Sequence, residues 1–277
     1  MEILLIIVIF GVPLAIGVGF LLSRDAAVKM VKERKLRELE DAAERGGAEE
    51  TYELAEYRAH PDNKDFKDVN KSVELLVEAA ERGHAEANYR VGRMRLYGEN
   101  VELDREQAVV NLREGAQRGS ANAAFLLSQC LAQGVGVGKD EKESLYFLRD
   151  AAKKGSPEAR FLLGTRLQGA LDGERDEMQA AECYKFASKK LVPQATTCLA
   201  DACERGLGVE KNPAKALKLY RKAAENGESE AMFQLGMRLF YGLSCKRDVD
   251  AARLWLRRAD RMGNSRAAAF VDAILKD

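Results

Sequence analysis

Few residues of this chain have the chemistry for proton or acyl transfer. Two histidines occur, His60 and His84, with five cysteines: Cys130, Cys183, Cys198, Cys203 and Cys245. A thiol activated by an imidazole base is the nucleophilic pair that these types allow. Cys130 and His84 are its representatives in a hydrolase reading. No HExxH, Walker, dinucleotide or nucleophile-elbow motif accompanies them. Cys198 and Cys203 lie five apart on one helix, ~140° around its axis, which is poor for joint metal binding. An odd number of cysteines without CxxC reads as reduced thiols packed as small apolar groups. The expectation is no catalytic residue, no cofactor, no metal and no enzymatic activity.

Composition narrows the partners. The chain has 277 residues, 46% of them hydrophobic, and 44 Lys and Arg balance 44 Asp and Glu. Zero net charge gives no global case for nucleic acid. One Trp and eight Tyr supply no evident platform for stacking bases.

Spacing is more informative than composition. Gly46 is followed 37 residues later by Gly83, then Gly119, Gly155, Leu191, Gly227 and Gly263 follow at steps of 36. Asp68, Asp104, Asp140, Asp176, Asn212 and Asp248 hold the same step of 36. A fixed period of this length marks stacked units, each burying its apolar face only against its neighbours. Every unit reads as two helices. The first begins at Ala87, Ala123, Ala159, Ala195 or Ala231, and its sixth position is small: Gly92, Ser128, Gly164, Ala200, Gly236. Gly inside a helix costs ~1 kcal/mol against Ala, so its return implies close packing there. The Asp or Asn series caps the second helix, and Pro213 after Asn212 suits a first helical position. Gly then stops the second helix in a left-handed conformation. Leu191 breaks that series, with Pro193 after it, so a less regular turn is expected there. The sequence GVGVG at residues 134–138 lacks the Lys-Ser/Thr of a phosphate loop and falls where each unit turns.

The expected organisation is therefore all-α. Residues 49–277 form about six helix pairs plus a C-terminal capping helix, and residues 24–48 a linking helix that covers the N-terminal end. Residues 3–22 carry no charge over twenty positions, enough helix (~30 Å) to span a bilayer core. Glu2 and the absence of an A-x-A site oppose a cleaved signal. Arg24, Lys29, Lys32, Arg34, Lys35 and Arg37 follow the span and no cation precedes it. That places the repeats on the cytoplasmic side of an inner membrane, with Met1 outside. Gly11, Ala15 and Gly19 share a face of the span and offer a homodimer contact; the same glycines also suit a lone membrane helix.

The pattern A-x-F-x-L-G, then G-x-G-V, then D/N-x-x-K/Q-A, then Y-x-K-A-A-x-x-G resembles the Sel1-like repeat family, relatives of the tetratricopeptide repeats. Residues 206–227, GLGVEKNPAKALKLYRKAAENG, match best, and Gly134, Gly136, Val137 and Asp140 form a second match. The resemblance covers residues 49–277 and is weakest over 49–83, which carry one extra residue and AHPDNKDF. It implies an α/α superhelical solenoid serving as a scaffold or adaptor for a protein partner. Relatives with a Cys pair in each repeat are not matched.

First helices of such pairs line the concave side. Positions four, seven, eight and eleven are expected there, including Arg90, Arg93, Tyr97, Gln129, Arg166, Arg205, Arg238 and Tyr241. Only Asp201 opposes the five arginines at these positions, which suggests a mildly basic groove for an acidic or extended peptide. A merely solvated surface has the same residue pattern. The competing readings are a periplasmic, membrane-tethered assembly factor of the same fold, and the Cys/His hydrolase.

Overall fold

The structure, a computed structural model, describes residues 24–169 and 176–274. Among the described residues it contains only helices and short turns. They are α1 (Arg24–Glu44), α2 (Ala48–Ala59), α3 (Val69–Glu81), α4 (Ala85–Tyr97), α5 (Arg105–Gln117), α6 (Ala121–Gln133) and α7 (Glu141–Lys153). After these come α8 (Pro157–Gly169), α9 (Glu177–Lys189), α10 (Pro193–Arg205), α11 (Pro213–Glu225), α12 (Ser229–Tyr241), α13 (Val249–Arg261) and α14 (Ser265–Ile274). Helices α2 to α13 form six pairs, each packed on itself and then on the next pair. Helix α14 packs on α13, and α1 on α2.

The small sixth position explains how each pair closes. A Cβ added at Gly92 would meet Leu112 at 2.9 Å, at Gly164 Tyr184 at 2.8 Å, and at Gly236 Leu256 at 2.7 Å. The missing side chain lets the second helix of the same unit press its largest core residue against the first helix backbone. Leu112, Tyr184 and Leu256 are accordingly almost fully buried. The first helices start two residues before the expected alanines, and Ala87, Ala123, Ala159, Ala195 and Ala231 have no exposed area.

The capping series behaves as expected. Asp68, Asp104, Asp140, Asp176, Asn212 and Asp248 each accept a bond from the backbone N–H three residues on, at 2.8–3.0 Å. Each satisfies one of the free donors of a helix start. A second set of caps ties units together. Glu86 near the start of α4 accepts from Ser120 (3.0 Å) and Asn122 (2.9 Å) at the start of α6. Glu230 of α12 accepts from Asn264 (3.0 Å) and Arg266 (2.6 Å) at the start of α14. A carboxylate at a helix N-terminus is favoured by the local partial positive charge, so each latch serves two helix ends.

The turn at Leu191 corrects the expectation of irregularity. Leu191 adopts a left-handed φ of 65°, on the positive side that the glycines of the series occupy at 82–104°. Val192 N–H bonds to the Ala187 carbonyl at 3.1 Å, as Glu228 N–H bonds to Ala223 at 3.1 Å in the next unit. Nearest-neighbour packing enforces the turn, and the chain carries the strain in one exposed Leu.

At the N-terminal end, Leu36, Leu39 and Ala43 of α1 are buried. The Tyr57 hydroxyl of α2 donates to the Lys32 carbonyl at 2.8 Å. Among the described residues no helix is long and apolar enough to cross a membrane. Residues 3–22, with Gly11, Ala15 and Gly19, lie outside the described residues.

A left-handed residue other than Gly costs ~1–2 kcal/mol. Leu191→Gly should therefore stabilise the array by about 1 kcal/mol, once the greater freedom of unfolded Gly is subtracted. Thermal unfolding followed by circular dichroism measures it; an unchanged or lower midpoint would contradict the strain.

Candidate binding face

First helices of successive units touch each other, α4 with α6 and α10 with α12. Among the described residues second helices show no comparable backbone approach and meet through long side chains, as Arg113 of α5 meets Glu143 and the Phe147 ring of α7, so the first helices form the inner, tighter side of the stack. Their eleventh position is exposed in all five units from Ala87 on, and the seventh in two of them. Tyr97 is 59% exposed and Tyr241 54% exposed. Arg93, Thr165, Gln133, Gly169 and Arg205 are also exposed. Gln129 is half-buried and lines a recess of about 310 Å³ with Leu96, Tyr97, Arg105, Leu126 and Gln133.

Position eight departs from the expected open face. Met94, Cys130, Ala202 and Arg238 are buried. At ~100° per residue this position turns toward the neighbouring first helix, so it fills the seam between units instead of facing solvent.

The expected excess of positive charge is also corrected. Arg90 holds Glu56 through two bonds, one of 2.9 Å, and lies 5.5 Å over the Tyr52 ring. Arg93 pairs with Glu99 at 3.3 Å and Arg166 with Glu141 at 3.4 Å. Arg238 binds Glu204 and Gln234 and sits 3.9 Å over Tyr220. Arg205 has no ion-pair partner among the described residues. The missed partners lie off the inner stripe. A signal for them exists in the numbering: Arg90–Glu56 and Arg238–Glu204 are both 34 residues apart, one unit less two.

Around Arg238 the inner side holds a compact polar knot. The Tyr220 hydroxyl donates to Asp201, and Glu204 lies 3.4 Å from the same oxygen. Burial pushes the Asp201 carboxyl above its ordinary range, against the opposing pull of Tyr220 and Arg238. Burial also raises the Tyr220 phenol, and its bond to Asp201 raises it further. The knot sets one guanidinium, Arg238, against two carboxylates, Asp201 and Glu204, with the Tyr220 hydroxyl between them.

The thiols and imidazoles are occupied by structure. Burial raises Cys130 and Cys183, and it pushes Cys198, beside Asp201 and Glu228, up to about 12. Thiols shifted this way are poor nucleophiles. His84 stacks on Tyr52 at 4.2 Å, accepts the Ala87 N–H at Nδ1 (3.0 Å), and meets Glu49 through Nε2 (3.1 Å). His60 caps a short turn by accepting the Asp62 N–H. Cys130 and His84 are not brought together: one fills the α6 seam, the other tips α4. No group of three His, Cys, Asp or Glu among the described residues is arranged to hold a metal ion. In the 134–138 loop, Gly136 adopts φ 70°, and a Cβ there would stand 2.1 Å from the Arg105 carbonyl oxygen. The loop backbone leans on the preceding unit, which accounts for that glycine without a ligand.

Comparison with known proteins agrees with this architecture. The Sel1 repeat profile matches residues 52–84, 85–120, 121–156, 157–190, 195–228 and 229–264. A protective antigen present in uropathogenic Escherichia coli strains is similar in structure, with TM-score 0.71 and 30% identity over 84% of this chain. This chain spans 50% of that antigen's length. A Sel1 repeat protein from Oxalobacter formigenes is similar at TM-score 0.65 and 25% identity, covering 72% of this chain and 81% of its own. No curated protein gives a significant match.

Two substitutions test the knot. Arg238→Met strands Glu204 and Asp201; it should destabilise by roughly 2–4 kcal/mol, below the upper range for buried pairs because Glu204 is 31% exposed. Asp201 has a raised folded-state pKa, so its contribution is fully present below its unfolded pKa and is lost as pH rises through the folded pKa. Relative to wild type, Asp201→Asn should gain stability at neutral pH and lose that advantage in acid. Urea unfolding across pH decides it; a difference independent of pH would contradict the assignment.

Proposed function

We propose that this chain, which belongs to the Sel1 repeat family, is a non-enzymatic scaffold that holds a protein partner on its inner face next to a membrane. The observation that carries the reading is the row of open positions on the first helices. Tyr97 and Tyr241 stand out from a face whose arginines, Arg205 excepted, are paired. Tyr and Arg are frequent anchors in protein interfaces, where large side chains fill well-packed, desolvated pockets. The recess beside Gln129 suits one apolar side chain of an extended segment, with Arg105 at its edge for a carboxylate. With most inner arginines paired, binding is expected to depend on shape and aromatic contact more than on net charge. Arg90 and Arg166 act as ordered hydrogen-bonding groups, and Arg205 as the open cation.

Tethering rests on residues 3–22 and the cations after them. The uncharged run is long enough for a bilayer core, and the bias of Lys and Arg favours repeats on the cytoplasmic side. Pairing of two copies through Gly11, Ala15 and Gly19 belongs to the same reading. The second reading is a periplasmic assembly factor with the same array. Fusion of alkaline phosphatase after Asp277 separates the two, since activity would report export of the far end.

A photo-crosslinker in place of Tyr97 should capture one defined protein, while the same group in place of Tyr146, on the outer side, should not. Tyr97→Ala combined with Tyr241→Ala should lower recovery of that protein at least several-fold with an unchanged melting temperature. Equal capture from both sides, or undiminished recovery, would contradict binding at the inner face.

A further inference from the structure

The positive charge missing from the inner face lies on the outer one. Arg149, Lys185, Arg221 and Arg257 follow each other at steps of 36, one on each of α7, α9, α11 and α13. All four are exposed. None has a carboxylate partner among the described residues. This is the reverse of the inner arginines, where Glu56, Glu99, Glu141 and Glu204 meet a cation each. The surroundings are cationic toward the C-terminal end. Helix α11 carries four Lys and Arg against one Glu, and α13 four Arg against two Asp. One column away, apolar and aromatic side chains protrude: Tyr146 is 66% exposed and Leu254 67% exposed.

We infer that this outer wall lies on an anionic phospholipid surface, with the four cations at the headgroup phosphates and Tyr146 and Leu254 in the interfacial layer. An extended row, one cation per unit over four consecutive units, fits a broad surface better than a pocket. Cations mixed with protruding apolar residues are the composition of segments that lie in a bilayer interface. A cation near an anionic leaflet strengthens binding roughly fivefold, and several act together. Nucleic acid would use the cations but leave Leu254 and Tyr146 without a role, and an acidic protein would need its own apolar contacts to cover them. The inference rests on the membrane-tethered reading only in that the span keeps the wall within reach of lipid.

The test uses the full chain with a single reporter, Leu254→Trp together with Trp255→Phe, reconstituted in vesicles of phosphatidylcholine alone or mixed with phosphatidylglycerol. Co-flotation with phosphatidylcholine vesicles tests the span. The reporter tests the wall: its emission should shift to the blue and be quenched by brominated acyl chains only when phosphatidylglycerol is present. Changing Arg149, Lys185, Arg221 and Arg257 together to Gln should abolish the shift while helicity and melting temperature stay unchanged. A chain that floats but shows no lipid-dependent shift would overturn the inference and leave the tether intact. A shift that survives the Gln variant would also overturn it, as would a wall that binds an acidic protein or nucleic acid and ignores lipid.

Discussion

The array depends on one close approach, repeated: a first helix with Gly, Ala or Ser at its sixth position, and a second helix that fills the space with Leu or Tyr. Where Gly92, Gly164 or Gly236 stands, even a methyl group would fall within 3 Å of the facing side chain. Close approach shortens the distance over which dispersion acts and leaves little void to be filled. It also fixes the relative height of the two helices. The loop length between them is thereby set, and with it the period. Everything else follows the period: the Asp caps, the glycine turns and the latches from one first helix to the next.

A consequence is a division of labour between two faces. The inner face is made of first helices pressed against each other, so its charged groups meet and neutralise across the seam, as Arg238 and Glu204 do. The outer face is made of second helices held further apart. Arg113 still reaches Glu143 of the next unit there, but the positions equivalent to Glu143 beyond Arg149, Lys185 and Arg221 are Gln179, Lys215 and Ala251, so those cations stay open to solvent, as does Arg257. The same sequence period therefore yields an inner side of largely paired charges with exposed tyrosines and an outer side with an excess of cations on α11 and α13, in a chain with zero net charge.

Much of the fold was legible in the sequence because its causes are local and recur. Six caps at one spacing are six measurements of one hydrogen bond, and the small sixth position needs no partner to be recognised. The site was less legible. The wheel placed position eight on the open face, because a helix alone does not say how near its neighbour comes; Arg238 lies in the seam instead. The balance of charge on the inner face failed for the same reason, since Glu56 and Glu204 belong to preceding first helices and lie off the counted stripe. Leu191 misled in the opposite direction. A residue that disfavours the left-handed turn predicts its loss, yet the packed helices on both sides impose it. The outer row of cations was present at the same step of 36 and carried no local signal, because a Lys or Arg on an exposed helix face is ordinary until its neighbours in space are known.

In this account each unit is stabilised by its neighbours alone, so damage to one close approach stays local. Amide hydrogen exchange of Gly236→Val compared with wild type measures this most directly. Protection should fall over α12, α13 and α14 and persist over α2 to α7. Uniform loss of protection along the whole chain would show a single global core, and would contradict a stack closed unit by unit.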